Sequence, residues 1–168
     1  MGVFRTMKKM IYILLCIICL SGCAGEYKGW KEIEMADLGT IKIPEGWVCH
    51  IQDNKIYFTD KDVKEFTEDT VHLAGYIYDE GKNPGENHNM FNKEVIWVER
   101  TESEVFSNNT FRGKDKYIID NEICEKAYII LNITKDKEIS MIAWDENVSY
   151  DDIKKMAKSF CRYSENEK

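Results

Sequence analysis

The chain has 168 residues, of which 23 are Lys or Arg and 30 are Asp or Glu, and its formal net charge is −7. Beyond residue 22, the remaining 146 residues carry 20 basic and 30 acidic side chains. This balance argues against a nucleic-acid partner, because duplex binding needs a basic face. Hydrophobic residues make up 43% and aromatic residues 12% of the chain, which excludes a disordered protein. One ordinary domain of this length needs neither a disulfide nor a metal to fold.

Residues 1–22 are predicted to be a signal peptide. Lys8 and Lys9 provide a positively charged start, and an unbroken apolar run follows over residues 10–20. As a helix this run would span only about 16 Å, and the hydrocarbon core of a bilayer is about 30 Å thick. The segment therefore predicts an export signal and not a membrane span. Met7 is an alternative start of the chain, because Met-Lys-Lys is a usual opening for such a signal.

The signal ends in Leu-Ser-Gly-Cys at residues 20–23. This tetrapeptide resembles the lipobox of bacterial lipoproteins, in which two small residues precede a cysteine. The resemblance implies that Cys23 receives a diacylglyceryl group and becomes the N-terminus of the mature protein. It also implies attachment to the extracytoplasmic face of the cell membrane. The alternative is an ordinary secretory signal that contains a chance cysteine.

Three cysteines remain after Cys23, namely Cys49, Cys124 and Cys161. Cys49 shares a predicted strand face with Trp47, and Cys161 lies at the edge of the apolar stripe of the last helix. Both are therefore expected to be buried as small hydrophobic residues. A Cys49–Cys161 disulfide is the alternative, and it would close a long loop. The spacing of the cysteines and histidines is not that of a metal site.

Alternating polar and apolar residues predict a mainly antiparallel β domain over residues 32–162. It lies between a polar tether at 23–31 and a polar tail at 163–168. Residues 101–116 are ambiguous and contain a possible short strand at 104–106. The predicted strands cover residues 33–35, 40–43, 47–52, 55–59, 71–78, 94–100, 117–119, 125–134 and 138–144.

The last element is predicted to be an amphipathic helix that packs across the sheet. Ser149 is its N-cap and Asp152 occupies the N3 position of a capping box. Apolar residues follow at i, i+3, i+4 and i+7, which forms one buried stripe. The stripe consists of Ile153, Met156, Ala157 and Phe160, and it faces a strand whose apolar side consists of Ala127, Ile129, Leu131 and Ile133. The fold class is therefore α+β.

Two segments carry a family resemblance. Residues 39–47 read Gly-Thr-Ile-Lys-Ile-Pro-Glu-Gly-Trp, with Ile-Tyr-Phe at 56–58, and residues 148–160 contain the capped helix stripe. Together they resemble PsbP-like domains over residues 32–162. The resemblance implies an α/β/α sandwich and carries no catalytic residue onto this chain. The middle of the chain departs from the pattern, because residues 61–68 are the sole candidate for a second helix.

Residues 79–92 are rich in Asp, Gly, Asn and Pro and are predicted to form an exposed loop. Such a loop on a rigid sheet is a candidate recognition element. Its candidate binding residues are Tyr78, Asn83, His88 and Phe91. The aromatic residues around it have two interpretations, since Tyr76, Tyr78, Phe91 and Trp97 either line a groove or form the second face of the sheet under a helix.

No catalytic constellation is legible, because none of the nucleophile, base and metal motifs occurs among the three histidines and their neighbours. An acidic cluster at residues 60–69 is interpreted as solvated surface, with a loose cation site as the alternative. No cofactor or metal is predicted.

The sequence therefore predicts a non-enzymatic, monomeric, lipid-anchored surface lipoprotein that binds an unidentified protein or envelope partner. Two alternatives remain open. One is an accessory lipoprotein of a membrane complex that binds a small ligand or a cation, and the other is a surface hydrolase.

Overall fold

The computed structural model describes residues 25–79, 88–108, 110–133 and 137–163. These residues form eleven strands and one helix. The strands are β1 (Trp30–Glu34), β2 (Gly39–Pro44), β3 (Trp47–Gln52), β4 (Lys55–Asp60), β5 (Val71–Asp79), β6 (His88–Met90), β7 (Lys93–Val105), β8 (Thr110–Ile119), β9 (Glu122–Asn132), β10 (Lys137–Ala143) and β11 (Cys161–Arg162), and helix α1 spans Tyr150–Ser159.

The described strands form two antiparallel sheets. The small sheet has the order β1-β2-β11, and the large sheet has the order β3-β4-β5-β10-β9-β8-β7-β6. Pro44 ends β2 in the small sheet and Trp47 begins β3 in the large one. The chain changes sheets at this corner because proline has no backbone N–H for a further ladder hydrogen bond. The antiparallel sheet with a helix near its C-terminus confirms the predicted α+β class.

The main hydrophobic core lies between α1 and the sheets. The helix packs against β2, β8 and β9, and Ile153, Met156 and Ala157 are completely buried. Residues of β9 alternate in direction, so Ile129 and Leu131 face this core, as the sequence predicts. Burial of this apolar surface is the main favourable term in folding.

The start of the helix is fixed by local and by distant contacts. The hydroxyl oxygen of Ser149 accepts the N–H of Asp152 at 3.1 Å, and the Asp152 carboxylate accepts the N–H of Ser149 at 3.3 Å. This is the predicted capping box. Arg112 of β8 donates to the carbonyl of Tyr150 at 3.0 Å and pairs with Glu104 of β7. The β7–β8 hairpin thereby holds the first turn of α1.

The predicted tether contacts the folded domain. Trp30 and Lys31 belong to β1. Glu26 pairs with Lys158 of α1 at 3.4 Å, and the hydroxyl of Tyr27 donates to the carbonyl of Lys155 at 3.3 Å. The described part of the tether therefore lies along α1.

The prediction of a second helix at residues 61–68 is wrong. Residues 61–70 form turns and bends, and the Thr70 hydroxyl donates to the carbonyl of Glu65 at 2.7 Å. Phe66 stacks on Tyr57 of β4, with ring centroids 4.6 Å apart. This contact places the Phe66 ring against the sheet. Most of the polar side chains in the segment stay exposed to solvent.

The ambiguous residues 101–116 extend two long strands. β7 runs without a break through the two segments predicted as separate strands, and its register with β8 shifts between Trp97 and Glu99 and again between Arg100 and Glu102. Such irregularities bend a strand and raise its twist. They change which residues face each side of the large sheet.

Candidate ligand cavity

A cavity of about 440 Å³ lies on the face of the large sheet opposite α1. Residues of β5, β6, β7, β8 and β10 form its wall together with Trp144, which directly follows β10. We call it the aromatic cavity. Its five aromatic side chains are Tyr76, Tyr78, Trp97, Tyr117 and Trp144.

The cavity exists because small residues stand where large ones would fill the space. Ala74 and Ser140 line the wall from β5 and β10. Gly75 lets these two strands approach closely, since a methyl group there would lie 1.9 Å from the carbonyl oxygen of Ser140. Met90, Val95 and Ile142 complete an apolar lining.

A charged pair is built into the wall. Arg100 donates Nε–H to Asp115 Oδ1 at 3.1 Å and Nη2–H to Asp115 Oδ2 at 3.4 Å, and Trp97 donates Nε1–H to Oδ2 at 3.0 Å. The Asp115 side chain is only 4% exposed. Burial opposes the charge on Arg100, but the hydrogen bonds and the charge of Asp115 outweigh it and raise the pKa of Arg100. Arg100 and Asp115 therefore form an ion pair whose opposite charges cancel.

Arg100 is also fixed by an aromatic ring. Its guanidinium carbon lies 4.4 Å from the ring centroid of Tyr128 on β9, a distance typical of a cation–π contact. Tyr128 can occupy this place because its partner in the ladder is Gly113, where a methyl group would lie 2.6 Å from the Tyr128 ring. Gly113 therefore positions the charged pair indirectly, through Tyr128.

Exposure shows which side of the cavity is open. The Trp97 residue and the Arg100 side chain are each 40% exposed, whereas Tyr117 and Trp144 are 8% and 7% exposed. Phe91 packs on Trp144 edge-to-face, with centroids 4.9 Å apart. The cavity therefore opens beside Trp97 and is closed at Trp144.

The buried end carries an unsatisfied donor. The Nε1–H of Trp144 is fully buried and has no hydrogen-bond partner among the described residues. Nearly all buried polar groups in folded proteins have a partner, so this donor is an exception.

The phenols of the wall are uncharged. Burial raises the pKa of Tyr76, Tyr78 and Tyr117 above the ordinary value for tyrosine, because desolvation disfavours the phenolate. Nearby tyrosines and, for Tyr117, Asp115 add to the increase. The described wall thus offers aromatic surface, hydroxyl groups and one neutral ion pair.

A second polar cluster surrounds His72. Its Nδ1 lies 2.8 Å from Asp145 and its Nε2 lies 3.2 Å from Asp60, and Trp47 stacks on the ring with centroids 4.2 Å apart. The backbone carbonyl of His72 also accepts the N–H of Trp144 at 2.9 Å. This cluster fastens the segment after β10 to β5. No group of three or more metal-ligating side chains is arranged for an ion in the part of the chain that the structure describes.

The described members of the predicted recognition set lie at different places in the structure. Tyr78 lines the aromatic cavity, and Phe91 packs behind Trp144. His88 lies on β6 opposite Val95, while Asn83 lies outside the described residues. Of the two interpretations of the aromatic residues, the groove is the one that Tyr76, Tyr78 and Trp97 form.

The cysteines are separated. Cys49 lies on β3 of the large sheet and packs against the main core, as predicted, while Cys161 lies on β11 of the small sheet. Cys49, Cys124 and Cys161 are free thiols, and Cys161 is exposed. Its predicted burial is wrong because Phe160 takes the inward position at the end of α1. Cys23 lies outside the described residues.

Sequence reasoning missed Arg100, Asp115, Tyr117 and Trp144. The two register shifts in β7 bring Arg100 onto the cavity face, and no local pattern predicts such shifts. The alternation of Asp115 and Tyr117 on one face of β8 was a usable signal, since an acidic residue on a buried face indicates a partner.

Comparison with known proteins finds no matching family model, no similar curated protein and no similar solved structure. Within the described residues, no helix has both the length and the apolar character needed to cross a bilayer.

Proposed function

We propose that this protein is a non-enzymatic, lipid-anchored extracytoplasmic protein that binds a small, largely apolar ligand in the aromatic cavity. The observation that carries the proposal is the cavity itself. Its volume of about 440 Å³ falls within the range of about 300–1,000 Å³ typical of ligand sites. Its aromatic lining with a few fixed polar groups also matches the usual composition of such sites.

The sequence supports the location. The Leu-Ser-Gly-Cys motif at residues 20–23 follows an apolar run of signal-peptide length, so we propose a diacylglyceryl anchor on Cys23. Glu26 and Tyr27 contact α1. A lipid on Cys23 would therefore hold α1 close to the membrane surface and leave the opposite face of the large sheet, with its cavity, toward the extracytoplasmic space.

We also propose a relationship to PsbP-like domains. It is supported by the Pro44-to-Trp47 corner between the two sheets and by the capped helix that closes the core. The second helical layer of a sandwich has no counterpart among the described residues, so the relationship rests on these two features.

A ligand screen tests the proposed function. The full-length protein in detergent micelles is heated with a panel of neutral aromatic compounds, and the midpoint of unfolding is measured. A compound that binds the folded state raises this midpoint, and the increase becomes larger with higher concentration and with tighter binding. We expect Ser140→Leu, which fills the cavity, to abolish the increase, and Ser107→Leu at an exposed turn to preserve it.

The proposal would be wrong if no compound raised the unfolding midpoint of the wild type more than that of Ser140→Leu. In that case the same protein is used as bait in a detergent extract, which tests the alternative that it binds a protein partner. A protein partner that both serine variants retain equally would favour an interaction module whose surface lies outside the aromatic cavity.

A further inference from the structure

Arg100 has unused hydrogen-bond donors at the open side of the aromatic cavity. A guanidinium group carries five N–H bonds, and Arg100 uses one from Nε and one from Nη2 for Asp115. The other N–H bonds, including both on Nη1, have no acceptor among the described residues. The Arg100 side chain is 40% exposed, so these donors are accessible to a bound molecule.

The ion pair fixes the direction of these donors. A guanidinium group is planar, and Nη1 lies on the side opposite the edge formed by Nε and Nη2. That edge faces Asp115, whose side chain is only 4% exposed. Nη1 therefore points away from the buried wall. The Tyr128 ring covers one face of the group, with the guanidinium carbon 4.4 Å from the ring centroid, and this contact holds the orientation.

The donors lie beside an aromatic part of the wall. Arg100 and Trp97 both line the cavity, and both donate to Oδ2 of Asp115. A flat molecule that packs on the Trp97 ring would bring its edge close to the Arg100 guanidinium. Its apolar end would then lie toward Met90 and Val95, which line the cavity and are buried. The arrangement favours a ligand that is polar at the mouth and apolar inside.

The charge of the pair restricts the polar end. A carboxylate on Nη1 would be attracted by Arg100 but repelled by Asp115, and it would lose much of its hydration on entering the site. A carbonyl oxygen accepts the same N–H and gives up less hydration, because it is uncharged. An uncharged acceptor is therefore favoured at this position.

We infer that the ligand is an uncharged aromatic molecule whose carbonyl-type acceptor lies at the mouth of the aromatic cavity and accepts a hydrogen bond from Nη1 of Arg100. This inference rests on the proposed function and specifies the ligand class of the same site.

The test uses three probes with the same ring system. 2-Acetylnaphthalene carries a carbonyl acceptor, 2-ethylnaphthalene replaces that carbonyl by a methylene group, and 2-naphthoate carries a charged acceptor. Full-length protein labelled with ¹⁵N-tryptophan in detergent micelles gives one indole N–H signal for each of its four tryptophans. The Trp97→Phe spectrum assigns the signal of Trp97, from which the affinities are measured.

Arg100→Lys is the decisive variant. The lysine ammonium still pairs with Asp115, so no buried charge is left alone, but the second edge of the guanidinium is lost. The ratio of ketone affinity to hydrocarbon affinity should fall about three- to tenfold, the usual effect of losing one hydrogen bond. Partitioning of each probe into the micelle is the same for both proteins and cancels in this comparison. Arg162→Lys, on an exposed residue of β11, is the matched control and should change the ratio less than twofold.

The orientation of the ketone is read in the wild type, which needs no variant protein to fold. The Trp97 indole N–H shares its acceptor atom with Arg100. The acetyl methyl protons of the bound ketone should therefore give a nuclear Overhauser effect to this N–H. At equal free concentration, 2-naphthoate should occupy the cavity less than the ketone does.

The outcomes separate the inference from the proposed function. The inference alone is overturned if the naphthalenes move the Trp97 signal but the affinity ratio is the same in Arg100→Lys, or if the acetyl methyl group gives no contact with Trp97. Tighter binding of 2-naphthoate than of the ketone would likewise overturn the uncharged ligand class. If no probe moves the Trp97 signal, the proposed aromatic ligand site falls as well.

Discussion

Asn108 caps the C-terminal end of α1 from the turn between β7 and β8, because its side-chain amide donates to the carbonyl of Phe160 at 3.0 Å. The same amide donates to the carbonyl of Ala157 at 2.9 Å. These carbonyls belong to the last turn of the helix and to its C-cap residue, where intrahelical donors are missing. One polar side chain therefore joins the longest hairpin of the large sheet to the helix.

Asn108→Ala is expected to destabilise the protein although it removes no apolar surface. The substitution leaves the part-buried Phe160 carbonyl without its side-chain donor, and such a loss typically costs about 1–3 kcal/mol. The Ala157 carbonyl keeps the Thr110 hydroxyl as a donor at 2.9 Å. The free energy of unfolding is measured by urea titration followed by circular dichroism. Asn54→Ala, at an exposed turn, is the control and should change this free energy by no more than about 0.5 kcal/mol. Equal effects of the two variants would show that the cap is not formed.

Phe160→Ala should be among the most damaging single changes. Phe160 is 4% exposed and belongs to the main core, and truncation of a buried phenylalanine typically costs about 3–5 kcal/mol. Lys158→Ala, two residues earlier, removes only an exposed ion pair with Glu26, worth at most about 1 kcal/mol. Urea titration of both variants decides the matter, and small equal effects would mean that α1 does not close the core.

The sequence predicts α1 well because every signal for it is local. The cap at Ser149, the acidic first turn and the apolar stripe occur within twelve residues, and each has a direct physical meaning. The face of β9 that contains Ile129 is equally readable, because a strand under a helix alternates in a simple way.

The aromatic cavity could be predicted only in part. Tyr76, Tyr78 and Trp97 were visible as an aromatic group, since all three lie close to the predicted loop in the sequence. The Arg100–Asp115 pair was not, because two register shifts in β7 decide which side of the sheet Arg100 faces. Such shifts arise from tertiary contacts and leave no trace in local composition.

The segment at residues 61–68 shows the opposite failure. This segment was the sole candidate for a second helix, and Val63 and Phe66 have helical spacing within it. The ring of Phe66 instead packs against Tyr57, and Thr70 closes a turn on Glu65. The contacts of Phe66 with Tyr57 and His50 outweighed a weak helical pattern in a mostly polar stretch.

Protonation of Asp145 should lower the stability of the protein in acid. Burial opposes its charge, but hydrogen bonds from Asn147 and His72 outweigh this and lower the pKa of Asp145. A carboxyl group with a lowered pKa in the folded state stabilises that state above its unfolded pKa, about 3.9. The contribution is lost as the pH falls through the folded value.

The measurement compares the wild type with Asp145→Asn by urea titration from pH 6 to pH 3. The wild type should be the more stable protein at pH 6, and the difference between the two should shrink steadily below about pH 4. Asp62→Asn, on an exposed turn, is the control. A difference between wild type and Asp145→Asn that does not depend on pH would contradict the assigned role.

Cys49 and Cys161 should differ sharply in reactivity. Burial raises the pKa of Cys49 to about 12, and the thiolate is the reactive form. Cys161 is exposed. Brief treatment of the native protein with N-ethylmaleimide, followed by peptide mass spectrometry, should therefore label Cys161 well before Cys49, and urea should make both reactive. A Cys49–Cys161 peptide found without reduction would overturn the free-thiol arrangement.

Cys23 is expected to carry the lipid anchor. The thiol is the nucleophile that takes up the diacylglyceryl group, and alanine at this position offers none. In cells fed a labelled fatty acid, Cys23→Ala should accumulate as an uncleaved precursor without label, while the wild type is labelled and shortened. Cys19→Ala, inside the apolar run, retains the Leu-Ser-Gly-Cys motif and should behave as the wild type. Label on the Cys23→Ala protein, or its loss from Cys19→Ala as well, would place the modification elsewhere and remove the basis for the proposed membrane attachment.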